Sequence, residues 1–149
     1  MNYNAPDLTQ HPPRSPRVRL AGFVLLPRML DKCRAERVGR NGEYHYDCPS
    51  DQQFFQFTGI TAGALRDQVT AGHGDWAIAE WVLAHIQPTR SQSEIIAWSA
   101  WMEQRGPDNP EDREWFNGEH QRIGAQRTDI VTYFDLLDAD DFVSFGGKS

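Results

Sequence analysis

The chain has 149 residues, of which 39% are hydrophobic and 24% are charged, a composition typical of a single globular domain that buries its own core. No run of 18 apolar residues occurs, so the sequence predicts neither a transmembrane helix nor a membrane partner. The net charge of −6 divides into +5 over residues 1–40 and −11 over residues 41–149. This acidic body argues against a nucleic-acid partner, because nucleic-acid binding needs a broad positive surface.

The first residues of the chain are polar and interrupted by four prolines: Pro6, Pro12, Pro13 and Pro16. They predict an extended arm over residues 1–16, followed by a single helical domain over residues 17–149. The start lacks the apolar stretch of a signal peptide, so we expect a cytoplasmic protein with free thiols at Cys33 and Cys48. We expect the basic N-terminal part to meet either a small anion or the acidic end of the same chain.

Helix signals begin after the arm. Pro27 is well placed as a first helical residue, which predicts a helix over residues 27–38. Ser50 and Gln53 have the spacing of a capping box, and they predict a short helix that ends at Gly59.

Further helices follow with little room for a linker. Their predicted caps or first residues are Thr61, Asp75, Ser91, Pro110 and Thr128. Residues 139–149 are expected to form coil or a short strand. The signals together predict an all-α fold of six or seven short helices around one core, with at most a small strand pair.

Three separated blocks resemble a known bacterial family. They are LPRMLDKCRA (residues 26–35), EYHYDCPSDQQFFQFTGI (residues 43–60) and RTDIVTYFDLLDADD (residues 127–141). In this order the blocks resemble the short proteins described as domain of unknown function 5069, and the likeness covers nearly all of the chain after the arm. The resemblance implies a small, mainly helical, cytoplasmic bacterial domain. It implies no catalytic residues, so candidates for a site come from the residues themselves.

The helix that Pro27 opens carries Arg28, Asp31 and Lys32 on one face, at spacings of three and four residues. A guanidinium in the first turn, beside free backbone N–H groups, favours a carboxylate or phosphate ligand. Asp31 would orient the basic groups, and Lys32 would add a positive charge. The alternative is a ladder of surface ion pairs with little effect on stability.

The run Tyr44, His45 and Tyr46 is the best catalytic candidate. In an extended segment the two tyrosines point to one side and the histidine to the other. Either the tyrosines pack inward with His45 exposed, or His45 faces a pocket with the tyrosine rings at its mouth. Histidine serves as a general acid or base near neutral pH, and a tyrosine hydroxyl stabilises an oxyanion.

Five tryptophans occur, and two of them fall in one predicted helix. Trp98 and Trp101 are three residues apart, but only Trp98 lies on the apolar stripe that faces the core. We therefore expect at least one of the pair to line an aromatic cleft or a contact between copies of the chain.

Metal and cofactor signatures are missing from the sequence. His45 and Cys48 form an H-x-x-C pair without a second pair at ligand spacing, and the acidic C-terminal part lacks the spacing of a calcium loop. No phosphate-binding loop, dinucleotide fingerprint or serine-hydrolase elbow is present. We predict no metal site and no cofactor; activation of Cys48 by His45 as a nucleophile is a further alternative.

Three functions remain open. The first is a cofactor-independent lyase, isomerase or hydratase for a small anionic or ring-containing metabolite, with His45 as the acid or base and Arg28 as the anion clamp. The second is a non-catalytic binding or regulatory module that uses the same cleft. The third is a helical protein whose exposed aromatic residues drive homo-oligomer formation.

Overall fold

The structure, a computed structural model, describes residues 5–147. These residues form seven helices: α1 (Leu26–Arg37), α2 (Pro49–Thr58), α3 (Ala62–Thr70), α4 (Asp75–His85), α5 (Gln92–Gln104), α6 (Pro110–Gly124) and α7 (Tyr133–Ser144). In this part of the chain the only strand-like pairing is an isolated bridge between Leu20 and Phe23, which confirms the all-α prediction. Residues 1–4 of the predicted arm and residues 148–149 of the predicted C-terminal coil lie outside the described residues.

Helix α1 is the centre of the domain, because every residue from Leu26 to Ala35 is buried. A helix that is buried on all sides normally carries apolar residues around its whole circumference. This helix instead carries four charged side chains inside that buried stretch: Arg28, Asp31, Lys32 and Arg34. Burying a charge is costly unless it is paired, so each of the four needs an opposite charge from another element.

Each charge of α1 finds that partner in a different part of the chain. Arg28 binds Asp141 of α7, Lys32 binds Asp51 of α2, and Arg34 binds Asp75 of α4. Asp31 binds Arg14 of the arm through two nitrogen atoms of the guanidinium. The four pairs therefore specify how α2, α4, α7 and the arm are placed around α1. The alternative of a surface ion-pair ladder along α1 does not apply, because the α1 side chains are buried and their partners come from other elements.

The apolar core has two parts. The larger surrounds α1 and contains four aromatic rings in edge-on or stacked contact: Phe23, Phe54, Phe57 and Trp98. The smaller lies between α6 and α7 and is built from Phe116, Ile123, Ile130, Leu136 and Ala139. Helices α6 and α7 are thus joined to each other by their own cluster, while α5 also contacts α7.

The N-terminal arm contains a turn at residues 8–10 and lies against the body of the domain. Leu8 is 1% exposed, and its backbone N–H donates to the Arg40 carbonyl at 2.8 Å. Arg14 donates to both Asp31 and Asp75, and Arg17 forms ion pairs with two carboxylates of α7. The basic arm therefore contacts the acidic C-terminal part of its own chain, one of the two outcomes expected from the charge pattern.

Several predicted helix signals are confirmed by the backbone. Gly59 ends α2 with a φ of 70°, and the Thr61 side chain accepts a hydrogen bond from the Ala64 N–H at the start of α3. Ser91 and Glu94 form the predicted capping box of α5.

Other boundaries differ from the predictions. Helix α2 begins at Pro49 with Cys48 as its N-cap, so the predicted Ser50 capping box is wrong. Helix α4 has Gly74 as its N-cap, because the Asp75 carboxylate instead accepts hydrogen bonds from Arg14 and Arg34. Helix α7 begins after Thr132 rather than Thr128.

The predicted coil after residue 139 is also wrong within the described residues, since α7 continues to Ser144. The acidic residues there extend the helix because Asp141 is paired with Arg28, and Asp140 is paired with Arg122. None of the seven helices between residues 5 and 147 combines the length and the hydrophobicity that crossing a bilayer requires.

Candidate functional site

A cavity of about 580 Å³ lies at the junction of the arm, α1, the turn that precedes α2, and the end of α7. Its lining comes from the arm (Leu8, Thr9), from the start of α1 and the residue before it (Leu25, Arg28, Lys32), from the turn and α2 (Gly42, Glu43, Tyr44, His45, Cys48, Ser50) and from the C-terminal end (Leu137, Asp140, Ser144, Phe145). Four segments that are distant in the sequence therefore meet at one concave site.

Arg28 lies at the base of the cavity and is 3% exposed. Its guanidinium donates to both oxygens of Asp141, at 2.7 and 3.2 Å, and to the Arg14 carbonyl at 3.2 Å. Burial by itself would lower the pKa of Arg28, but the hydrogen bonds and charge of Asp141 outweigh it and raise the pKa. Three of the five guanidinium N–H groups are used in this way, and the other two have no hydrogen-bond partner among residues 5–147.

Lys32 lies one turn further along α1 and is also 3% exposed. Its ammonium donates to the two oxygens of Asp51 at 3.0 and 2.9 Å, and to the Cys48 sulfur at 3.2 Å. These contacts use all three of its N–H groups. Lys32 therefore supplies positive charge to the cavity but has no free donor for a ligand.

The aromatic wall of the cavity is formed by Tyr44 and Phe145. Their rings are parallel to within 4°, with centroids 6.5 Å apart. The Arg28 guanidinium lies 5.5 Å from the centroid of the Tyr44 ring, and the Tyr44 hydroxyl donates to Asp141 at 2.8 Å. Burial and the neighbouring Asp141 charge raise the pKa of Tyr44, so this side chain stays a neutral phenol.

His45 and Cys48 complete the wall on the side of the turn. His45 is exposed, and within residues 5–147 its ring makes no hydrogen bond. Cys48 is half-buried at the N-cap of α2. Across the same residues, no three His, Cys, Asp or Glu side chains come together in a way that would hold a metal ion.

The expected alternation of residues 44–46 is wrong, because these residues do not form a strand: Tyr44 and His45 have no regular secondary structure, and Tyr46 belongs to a turn. Tyr44 and His45 both line the cavity, whereas Tyr46 is 6% exposed and packs into the core. The Tyr46 hydroxyl donates to the Ala62 carbonyl at 2.7 Å, and burial raises the pKa of this phenol. The positive φ of Asp47, 65°, marks the turn that sends the chain into α2.

Three further candidates also lie away from the cavity. Asp31 is bound to Arg14 on another side of α1, so it does not orient Arg28 or Lys32. Trp98 is 8% exposed and stacks on Phe57 in the core, with ring centroids 5.1 Å apart. Trp101 is 51% exposed and does not line the cavity. The two tryptophans differ in burial, as predicted, but neither of them lines this cavity.

The sequence interpretation missed the residues that hold the cavity together. Asp51 and Asp141 anchor its two cations, and Phe145 supplies the second ring. The excess of acidic residues after α1 was a signal that buried cations would find partners there. No local pattern distinguishes these two aspartates from the many exposed ones.

Comparison with known proteins places the chain in a family. The model of the family described as Domain of unknown function (DUF5069) matches residues 10–143. The chain belongs to this family. A search of curated proteins finds no match. The matched range includes the second part of the arm, all of α1 to α6 and nearly all of α7, so it contains every cavity residue except Leu8, Thr9, Ser144 and Phe145.

This DUF5069 member therefore presents a cavity with three chemical properties. Two buried cations lie at its base, two parallel aromatic rings form one wall, and a histidine and a cysteine lie at the other. Such a site suits a small molecule that has an anionic group next to a flat or apolar part.

Proposed function

We propose that the protein binds a small anionic, ring-containing metabolite in this cavity. The observation that carries the proposal is Arg28, a guanidinium only 3% exposed that lines the cavity and has two N–H groups without a partner among residues 5–147. An arginine fork of this kind binds a carboxylate or phosphate through two parallel hydrogen bonds.

The buried charges that line the cavity are those of Arg28 and Lys32, and they favour an anion as the ligand. The lining also contains two carboxylates, of which Glu43 is exposed to solvent and Asp140 is paired with Arg122.

The charges of Arg28 and Lys32 are largely balanced by Asp141 and Asp51, so both cations can be buried without a ligand. Both carboxylates, however, lie behind the cations: neither lines the cavity, whereas both cations do. A ligand in the cavity therefore meets the positive end of each pair first.

The rings support the second part of the proposal. Tyr44 and Phe145 have parallel rings and both line the cavity, and an aromatic ligand that stacks on one of these rings would gain about 0.5–1.5 kcal/mol. Leu8, Leu25 and Leu137 supply apolar surface for the rest of such a molecule.

A thermal-shift screen tests the proposal. The panel contains carboxylates, sugar phosphates and phenolic acids, and a ligand at about a hundred times its dissociation constant stabilises the fold by roughly 2.7 kcal/mol. Any shift should disappear in Arg28→Met and persist in Arg34→Met. Arg34 is the matched control, since it lies on the same helix, is 4% exposed and is ion-paired with Asp75, but does not line the cavity.

A panel without any shift, or a shift that both variants lose equally, would contradict the proposal. Catalysis of a lyase, isomerase or hydratase reaction by His45 stays a prediction, favoured by the place of that ring in the cavity wall. Self-association through exposed aromatic residues such as Trp101 also stays a prediction, with light scattering as its test. We expect these activities in the bacterial cytoplasm.

A further inference from the structure

The two cysteines of the chain lie in opposite environments. Cys33 is 1% exposed inside the core, where burial raises the pKa of its thiol to about 11. Cys48 is half-buried and lines the cavity, so a small molecule inside the cavity can reach its sulfur. The protein thus contains an inert thiol and an accessible one under the same solution conditions.

The contact between Lys32 and Cys48 distinguishes the accessible thiol from an ordinary surface cysteine. The Lys32 ammonium, 3% exposed, directs one N–H to the Cys48 sulfur at 3.2 Å. Its other two N–H groups are held by Asp51, which is 0% exposed and also accepts from the Asp47 backbone N–H at 3.0 Å. The donor is therefore fixed in place, and a hydrogen bond from an ammonium stabilises negative charge on the atom that accepts it.

Asp51 offsets part of the positive charge of Lys32, so the effect on the sulfur is mainly that of one directed N–H group. The position of Cys48 adds a second contribution. As the N-cap of α2, it precedes the free backbone N–H groups of the first helical turn, and its sulfur is not used in a side-chain cap hydrogen bond. His45 lines the same cavity, so three side chains with proton-transfer or nucleophilic chemistry face one enclosed volume.

We propose that Cys48 is a covalent modification site that reacts with small, anionic, soft carbon electrophiles admitted by the cavity. An α,β-unsaturated carboxylate is one such class. The sulfur forms a bond to the β-carbon, the carbon–carbon double bond is lost, and the α-carbon takes up a proton. The net reaction adds S–H across the double bond, so it needs no oxidant, reductant or metal. The adduct occupies the cavity in which the proposed metabolite would bind.

Alkylation of the wild-type protein at pH 7 tests this inference without any metabolite. Iodoacetamide and iodoacetate each form a sulfur–carbon bond, iodide leaves, and the thiol proton passes to solvent. Peptide mass spectrometry should find the adduct on Cys48, formed about tenfold faster than on N-acetylcysteinamide. Cys33 should stay unlabelled until the protein is unfolded in urea.

The charge of the reagent provides a second readout. We expect the rate of iodoacetate relative to that of iodoacetamide to be about threefold higher for Cys48 than for N-acetylcysteinamide, a reference thiol without a carboxylate, because Lys32 and Arg28 attract the anionic reagent. Equal ratios for the two thiols, or a Cys48 rate no faster than that of N-acetylcysteinamide, would overturn the inference. Both comparisons use only the wild-type chain.

A pair of double variants assigns the effect to Lys32. Lys32→Met/Asp51→Asn removes both charges together while the amide still accepts from the Asp47 N–H, and the Cys48 rate should fall to that of N-acetylcysteinamide. Arg34→Met/Asp75→Asn is the matched control, and it should leave the rate unchanged. A folded Lys32→Met/Asp51→Asn variant that keeps the fast Cys48 rate would contradict the inference. If that variant fails to fold, the wild-type rates and rate ratios test the inference by themselves.

Discussion

Arg28 and Asp141 lie 113 positions apart and form a buried two-pronged ion pair, which joins the central helix to the last helix beneath the cavity. The same carboxylate accepts the Tyr44 hydroxyl at 2.8 Å, so one aspartate holds both the cation and the ring of the proposed site. The stability of the domain and the shape of the cavity therefore depend on the same contact.

Removing one member of this pair should destabilise the protein strongly. Arg28→Met leaves the Asp141 charge buried without its partner, and we expect the free energy of unfolding to fall by about 3–5 kcal/mol. The double variant Arg28→Met/Asp141→Leu should recover most of that loss, except for about 1 kcal/mol from the orphaned Tyr44 hydroxyl. Urea unfolding of the wild type, Arg28→Met, Asp141→Leu and the double variant measures the coupling, and a loss in the double variant equal to the sum of the two single losses would show that the pair is not coupled.

Low pH should lower the free energy of unfolding, because it protonates Asp75 and Asp135. Burial by itself would raise the pKa of Asp75, but hydrogen bonds from Arg14 and Arg34 outweigh it and lower the pKa below 3.8. The pKa of Asp135 is lowered too, since hydrogen bonds at the start of α7 outweigh the effect of burial.

Because both carboxyl groups bind protons more weakly in the folded state than in the unfolded state, their contribution to stability is complete above about pH 4–5 and is lost as the pH falls through the folded pKa values. Urea midpoints measured between pH 7 and pH 3 should fall toward acid, and less steeply in Asp75→Asn than in the wild type. A midpoint that stays constant over this range would contradict the prediction.

Phe145 should affect both ligand binding and stability. The ring is 37% exposed beyond the end of α7 and stacks on Tyr44, so Phe145→Ala should lower the free energy of unfolding by about 1 kcal/mol. Affinity for a ring-containing anion should fall by about 0.5–1.5 kcal/mol, while affinity for an anion without a ring should not change. Titration calorimetry with a matched pair of ligands checks this, and an equal loss for both would argue that Phe145 does not stack on the ligand.

We expect that the arm packs against the cavity only if residue 42 is glycine. Its φ is 54°, and a Cβ atom there would lie 2.9 Å from the Leu8 carbonyl oxygen. Gly39 is the matched control, with a φ of 69° and nothing within 4 Å of its added Cβ. Both changes to alanine should cost about 1–2 kcal/mol of backbone strain, and Gly42→Ala should cost more because it displaces the arm.

Limited proteolysis distinguishes the two glycine variants. We expect faster cleavage within residues 5–16 in Gly42→Ala than in Gly39→Ala. Equal cleavage of the two variants would show that the arm does not depend on this close approach.

His45→Gln separates catalysis from binding. The His45 ring is exposed and makes no hydrogen bond within the described residues, so the variant should keep the wild-type melting temperature. If the protein is an enzyme that uses His45 as its acid or base, turnover of an identified ligand should fall about 10²–10⁴-fold while the dissociation constant stays within a few fold. Unchanged turnover in this variant would exclude His45 as that group.

Local sequence patterns were sufficient for most of the secondary structure. The caps at Thr61 and Ser91 and the C-terminal glycine of α2 follow from contacts within four residues, which composition and spacing reveal directly. The error at Ser50 arose because Pro49 already begins α2, and the error at Thr128 arose because a later threonine, Thr132, caps α7. The error at Asp75 has another cause, since two arginines from the arm and α1 use its carboxylate.

The sequence by itself determined the all-α class, the basic face that starts α1, and the acidic excess that had to balance it. Only the tertiary structure decided which aspartate pairs with which cation, that Tyr46 and Trp98 enter the core, and that Arg28, Tyr44 and Phe145 meet at one cavity. The physical reason is that helix caps and periodicity depend on neighbours a few residues away. A buried ion pair instead depends on the packing of a whole helix against another, and its members lie up to 113 positions apart.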